Sequence, residues 1–240
     1  MDKVSIIIPC YNSQDYIYDC INSALAQTYE NKEIIVIDDK SSDSSLAIIH
    51  SFQNRIKCIE HQINKGLAAS LNTGIRESKG SWIKRLDADD ILTPHCVEVL
   101  MNNAWDRKTL YYGDYEIINK ESGHLKFFIE PDRNNLSHYL WCEVVKQKHV
   151  GNADTMIYHK SIHDIVGPYN EDIKLGMDYE FLLRCILKHD MKMFKPSNLI
   201  LAKYRIHNKS MAAFKAVQNK LGMPTYKERR LKILNGVLTL

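Results

Sequence analysis

Between residues 4 and 105, short β-branched runs alternate with stretches whose apolar residues fall at helical spacing. Val4-Ser5-Ile6-Ile7-Ile8 is ended by Pro9, and Glu33-Ile34-Ile35-Val36-Ile37 is closed by Asp38-Asp39. Short, near-continuous apolar runs of this kind read as strands buried on both faces. Ile56–Glu60 gives a third strand. Trp82–Leu86 gives a fourth, which leads into Asp87. Between them, Asp15–Gln27 carries Ile17, Ile21, Ala24 and Leu25 on one helical face. Ser41, Ser42 and Asp43 offer N-caps for a helix through Leu46, Ile49 and Phe52, and Gly66–Glu77 reads as a third helix. Thr93-Pro94 opens another, with Pro at its first position. Strands separated by helices and joined by right-handed crossovers predict an α/β fold: a doubly wound, mostly parallel, Rossmann-like sheet flanked by helices.

The second half is less regular. Leu110–Tyr115 reads as one strand, and Leu125–Ile129 as another, paired antiparallel. Asn134–Tyr139 is polar and reads as loop or lid. Asp178–Leu187 reads as a helix and Leu199–Ile206 as a late strand. From Met211 the pattern is helical and basic, interrupted by Gly222 and Pro224.

The 240 residues, 45% of them hydrophobic, suit one large domain or a domain plus a small appendage. A net charge of +3 is too small to imply a nucleic-acid partner. Cysteines 10, 20, 58, 96, 142 and 185 never fall at CxxC spacing, so zinc and dithiol chemistry have no local support. Dispersed thiols fit a reducing compartment. The apolar run Val4–Ile8 is too short for a signal peptide or a membrane span. A cytoplasmic protein is expected, with peripheral contact to the inner face of a membrane left open.

In an open parallel sheet, ligands bind beyond the carboxyl ends of the strands. Pro9-Cys10-Tyr11-Asn12, Asp38-Asp39 and Asp87-Ala88-Asp89-Asp90 all fall there. Two like charges ~4 Å apart repel by about 4 kcal/mol at an effective dielectric of ~20. A hard divalent cation removes that repulsion, and Mg²⁺ or Mn²⁺ prefers carboxylate oxygens together with substrate phosphates. The chain has no GxxxxGK[ST] loop and no GxGxxG after its first strand. A P-loop phosphate cradle is thereby excluded and dinucleotide redox chemistry disfavoured. A metal-bridged diphosphate is the natural ligand.

The segments VSIIIPCYN, QTYENKEIIVIDDKSSDSS, NKGLAASLNTGI and GSWIKRLDADD, followed by GPYNE, LGMDYEFLLR and YRIHNKS, resemble in order the family 2 inverting glycosyltransferases of GT-A fold. The resemblance implies a GT-A domain over 1–210, with a nucleotide-binding half at 1–105 and a smaller mixed acceptor half at 106–210. Residues 211–240 would then be a helical extension. It further implies a nucleotide-sugar donor, UDP-sugar being favoured. The acceptor would be a glycan or lipid-linked molecule in polysaccharide or cell-surface glycan synthesis.

The resemblance also implies residue roles. Tyr11 would stack on the nucleobase beside Pro9 and Asn12. Asp39 would accept from the base, with Asp38 supporting that loop. Asn64, Lys65 and Gly66 would form a loop near the nucleotide, with Asn72 on the helix behind it. Asp89 would be the main metal ligand, with Asp87 shared between ribose and metal, Ala88 between them, and Asp90 outside the metal shell or capping a helix. His207 would lie near the metal or diphosphate, where Arg205 and Lys209 would neutralise phosphate charge. Asp178 would be the general base and Glu180 would point elsewhere. Two positions depart from the pattern: Leu71 stands where relatives carry Arg, and Met177 replaces the first acid of the usual pair.

Trp141, His149 and Asn152 would shape the acceptor pocket, Trp141 serving either there or in the core. Lys227, Arg229, Arg230 and Lys232, interleaved with Leu231, Leu234 and Leu238, form a basic amphipathic pattern. It suits either an anionic membrane surface or packing on the domain or a second subunit. Two other functions compete. A sugar-nucleotidyltransferase would want a Gly-rich basic loop where Pro9-Cys10-Tyr11-Asn12 stands. A degenerate, non-catalytic sugar-nucleotide binder is kept in play by Leu71 and Met177.

Overall fold

Strand β1 (Val4–Cys10) lies at the centre of the main sheet, buried along its whole length. It pairs in parallel with β2 (Lys32–Asp38) on one side and β4 (Trp82–Arg85) on the other, and β2 pairs in parallel with β3 (Lys57–Glu60). The computed structural model describes residues 1–119, 123–128, 153–194, 196, 198–207 and 236. Lid segment 134–139, Trp141, His149, Asn152 and Lys209 lie outside these residues, as does nearly all of the extension at 211–240.

Side chains of β1 and β2 alternate between two cores, which is why neither strand shows an apolar–polar alternation. Val4, Ile6, Ile8, Ile34 and Val36 pack with α1 (Ile17–Leu25), α2 (Ser45–Ser51) and α4 (Cys96–Met101). Ile7, Ile35 and Ile37 pack on the other face with α3 (Leu67–Glu77), α5 (Ile162–Val166) and α6 (Met177–Leu183). A wider π turn, Arg184–Lys188, continues α6. Leu71 is 1% exposed in this second core, so the departure from the family pattern is filled by packing.

The main sheet has the order β10-β6-β9-β4-β1-β2-β3, with β6 at Thr109–Tyr111, β9 at Ile157–His159 and β10 at Lys192–Phe194. β9 runs antiparallel between β4 and β6. The sheet is therefore mostly parallel, flanked by helices, with one reversed strand that periodicity did not reveal. Three residues are too few to show a period.

A second sheet has the order β5-β11-β7-β8, from Ile91–Leu92, Ile200–Ile206, Asp114–Asn119 and Gly123–Phe128. β7 and β8 pair antiparallel, as expected. The single strand expected over Leu110–Tyr115 is instead two, broken at Tyr112-Gly113, one in each sheet. Glycine is needed at the break, because a Cβ at Gly113 would collide with the Leu201 side chain of β11. The helix expected to open at Pro94 starts at Cys96, after β5. Among the described residues, no helix is long and apolar enough to cross a membrane.

Candidate active site

The parallel strands deliver their carboxyl ends to one rim. Beyond β1, Tyr11 is exposed and Asn12 adopts a left-handed backbone, φ 51°. Asn12 is tied to the loop after β2: its N–H donates to Ser41 Oγ at 3.0 Å, and its Oδ1 accepts from Ser42 N–H at 2.8 Å. Asp38 closes the same loop by accepting from Ser41 N–H at 3.0 Å. Asp43 accepts from Ser45 N–H at 2.9 Å and from Gln14 N–H at 3.1 Å, at the head of α2. The two loops are thus a single hydrogen-bonded ledge under the exposed Tyr11 ring.

Asp39 is the hub of the next segment. It is 3% exposed. Its Oδ1 accepts from Lys65 N–H at 2.8 Å and sits 2.7 Å from His61 Nδ1, and its Oδ2 accepts from Gly66 N–H at 2.7 Å. The other ring nitrogen, Nε2, lies 3.1 Å from the Thr73 hydroxyl, so the imidazole links Asp39 to α3. Asn64 Nδ2 donates to the Asp39 carbonyl. Gly66 turns into α3 at φ 89°, a conformation open to glycine and strained for other residues. Asp39 therefore builds the 61–66 loop, and Lys65 stands exposed on it. His61 was missed in the sequence, because no local pattern distinguishes it from an ordinary polar residue.

Beyond β4, the acidic turn is divided between rim and interior. Asp87 is gripped at both oxygens by Arg85, Nε and Nη2 each at 2.7 Å. Its backbone N–H donates to Asp154 Oδ1 at 2.7 Å. Asp89 is partly exposed and lies 3.0 Å from His207 Nε2. Asp90 is fully buried and accepts Arg205 N–H at 2.6 Å, while Arg205 Nε donates to the Asp89 carbonyl. The end of β11 is thereby docked on the acidic turn. Tyr16 is layered on it, its ring 4.5 Å from that of His207 and 5.1 Å from the Arg205 guanidinium.

Asp154 is the second residue the sequence concealed. A lone Asp in a segment without periodicity carries no signal, yet it is 1% exposed at the bottom of the site. Its carbonyl accepts from Lys84, itself fully buried. Oxygens of Asp87, Asp90 and Asp154 lie within 4.8 Å of one another. Burial, and then the charge of Asp154, push the Asp90 carboxyl well up; burial, and then Asp87, push Asp154 up. Each of these two carboxyls therefore resists ionising beside the other. Burial, followed by the charge of Asp87, also raises the Asp89 carboxyl. This accumulation of hard, mutually repelling oxygen donors fits Mg²⁺ or Mn²⁺. Asp90 belongs to this group rather than outside it, and Asp89 and His207 form a pair beside it.

Asp178 is exposed in the first turn of α6 and accepts Tyr179 N–H at 2.8 Å. Met177 beside it is buried in the core. Glu180 turns away, as expected, to Arg184 at 2.6 Å. The expected role of Asn72 does not fit its placement. Both ends of its amide are spent on Tyr169, donating to the carbonyl and accepting the N–H, and its NH₂ also reaches Glu171. Asn72 fastens α3 to the 169–171 loop. Pro9 and Ala88 are buried, within β1 and the acidic turn, and turn no open side chain to the rim.

The family model for glycosyl transferase family 2 matches residues 5–164. An uncharacterized glycosyltransferase of Rickettsia typhi is 33% identical over 209 residues, covering 85% of this chain and 64% of its own length. One from Haemophilus influenzae is 32% identical over 252 residues, covering 98% of this chain and 75% of its own. The chain thus spans just under two thirds of the Rickettsia protein. The crystal structure of S. aureus TarS 1-349 in complex with UDP-GlcNAc superposes with a TM-score of 0.70 at 19% identity, covering 98% of this chain and 71% of that one. At that identity the likeness is one of fold, and the fold is that of a GT-A-like glycosyltransferase. With a family model matched over residues 5–164 and relatives above 30% identity, this chain belongs to glycosyl transferase family 2.

Proposed function

We propose that the chain transfers a sugar, with inversion, from a UDP-sugar to a hydroxyl of a glycan or lipid-linked acceptor. What supports this reading is an exposed aromatic residue and a nest of acids at the carboxyl ends of the parallel strands, with a separate exposed carboxylate, Asp178, at the head of α6. Tyr11 offers a face to the base, beside the loop that Asp39 holds. A carboxylate has about four acceptor directions, and three at Asp39 are filled, so one is left for a base N–H. Mn²⁺ or Mg²⁺ would be held by Asp89, with His207 alongside, at the partly exposed edge of the Asp87–Asp90–Asp154 cluster. The cation, when bound, neutralises the diphosphate and makes it a better leaving group.

In the reaction, the acceptor oxygen forms a bond to the anomeric carbon while the bond from that carbon to the diphosphate oxygen breaks. The diphosphate leaves with the electron pair. Asp178 takes the hydroxyl proton, a role worth about 10²–10⁴-fold for a positioned base. Arg205 would sit behind the acidic turn and hold it in place. The buried, apolar Met177 favours one competing function, a non-catalytic binder of the same ligand. Asp178→Asn separates the two. Under the proposal, its affinity for UDP with Mn²⁺ stays within a few fold of wild type while UDP release from a UDP-sugar drops by about 10²-fold or more. No release by the wild type, with binding intact, supports the binder.

A further inference from the structure

Arg85 is 5% exposed, at the end of β4. Three of its donor groups matter here. Nε and Nη2 are both spent on Asp87. Nη1 is buried and, among the described residues, has no hydrogen-bond partner. A buried guanidinium donor without an acceptor is costly, and such a group in a native fold calls for a reason. Besides Asp87, the charges of Asp178 and Asp154 bear on Arg85, and Asp154 is already tied to the Asp87 backbone N–H. Asp178 stands at the start of α6, on the helix layer that packs against the face carrying Ile83. Its neighbour Met177 is apolar and offers no acceptor. On the same face, the hydroxyls of Tyr158 and Tyr169 are spent on each other at 3.2 Å.

We propose that Arg85 is a positioning residue that joins the two halves of the reaction: its fork holds Asp87 on the donor side, and Nη1 takes the carboxylate of Asp178 when the nucleotide-sugar is bound. Charge-assisted bonds from a planar guanidinium fix direction as well as attraction. One rigid group between the two acids would set the distance from base to anomeric carbon. It would also hold Asp178 aimed. This role rests on Asp178 being the base.

The test is a double-mutant cycle read as kcat for UDP release from saturating UDP-GlcNAc with Mn²⁺. Arg85→Gln is expected to lower kcat by roughly 30-fold when Asp178 is present, and by less than about 3-fold further in the Asp178→Asn background. Arg85→Lys keeps the charge beside Asp87 without the fork, and should lose roughly 10-fold. A structure of the unmutated protein with UDP-GlcNAc and Mn²⁺ gives a readout independent of folding: Nη1 should lie within about 3.2 Å of an Asp178 oxygen. Equal fold losses in both backgrounds, or Nη1 bonded elsewhere in that complex, overturn the role of Arg85 and leave the base assignment standing. Full turnover by Asp178→Asn removes the base assignment itself, and this role with it.

Discussion

Asp39→Asn probes the point where loop building and ligand binding meet. Asp39 accepts three hydrogen bonds in a nearly water-free setting, from Lys65 N–H, Gly66 N–H and His61. Asparagine keeps one acceptor oxygen and sets an NH₂ against donors on the other side. At least one charge-assisted bond is lost outright and a second loses its charge. Bonds to charged groups contribute about 1.5–3 kcal/mol each. A destabilisation of about 3 kcal/mol is therefore expected, on the order of a hundredfold in the folding equilibrium. Urea unfolding followed by circular dichroism measures it, with UDP affinity measured in parallel on the folded variant. The expected result is a clear loss of stability together with weakened UDP binding. A loss below about 1 kcal/mol with UDP binding abolished would refute the structural reasoning, because the carboxylate would then be committed to the ligand rather than to the loop.

Two other perturbations reach different parts of the fold. Gly113→Ala drives a methyl into Leu201 where the chain passes from one sheet to the other; a loss of about 1–3 kcal/mol by thermal unfolding is expected, and wild-type stability would mean that Leu201 gives way freely. His163 accepts from the Tyr158 hydroxyl and donates to the Gly167 carbonyl, and burial, with Arg184 next, lowers its pKa from 6.5 to about 4. Its folded pKa lies below its unfolded value, so the unfolded chain binds the extra proton first. This contribution to stability is complete above about pH 6.5 and is lost as pH falls toward 4. Melting temperatures of His163→Gln should fall less steeply than wild type across that window, and parallel slopes would count against the assignment.

Much of the first hundred residues was legible because their signals are local. Buried parallel strands leave β-branched runs, and helices leave their spacing. The sheet ends then place Tyr11, Asp39 and the acidic turn together by topology alone. What stayed hidden acts at long range. Asp154 reaches Asp87 across 67 positions, His61 reaches Asp39 across 22, and Asn72 is spent on Tyr169 across 97. None of these has a spacing that a single sequence can display. Where Leu110–Tyr115 divides into two strands, Gly113 is closely approached by Leu201 of β11, some ninety residues downstream, a contact that local propensity does not register. The buried position of Asp90 follows from the docking of Arg205, another contact without local trace.

The central claim is that the acidic turn binds a nucleoside diphosphate through a cation. Calorimetric titration of UDP into the protein, with Mn²⁺ and again with the metal chelated, tests it most directly, with Asp89→Ala as the comparison. Binding that needs Mn²⁺ in the wild type and disappears in Asp89→Ala is the predicted result. Equal affinity with and without the metal, unchanged by Asp89→Ala, would contradict it.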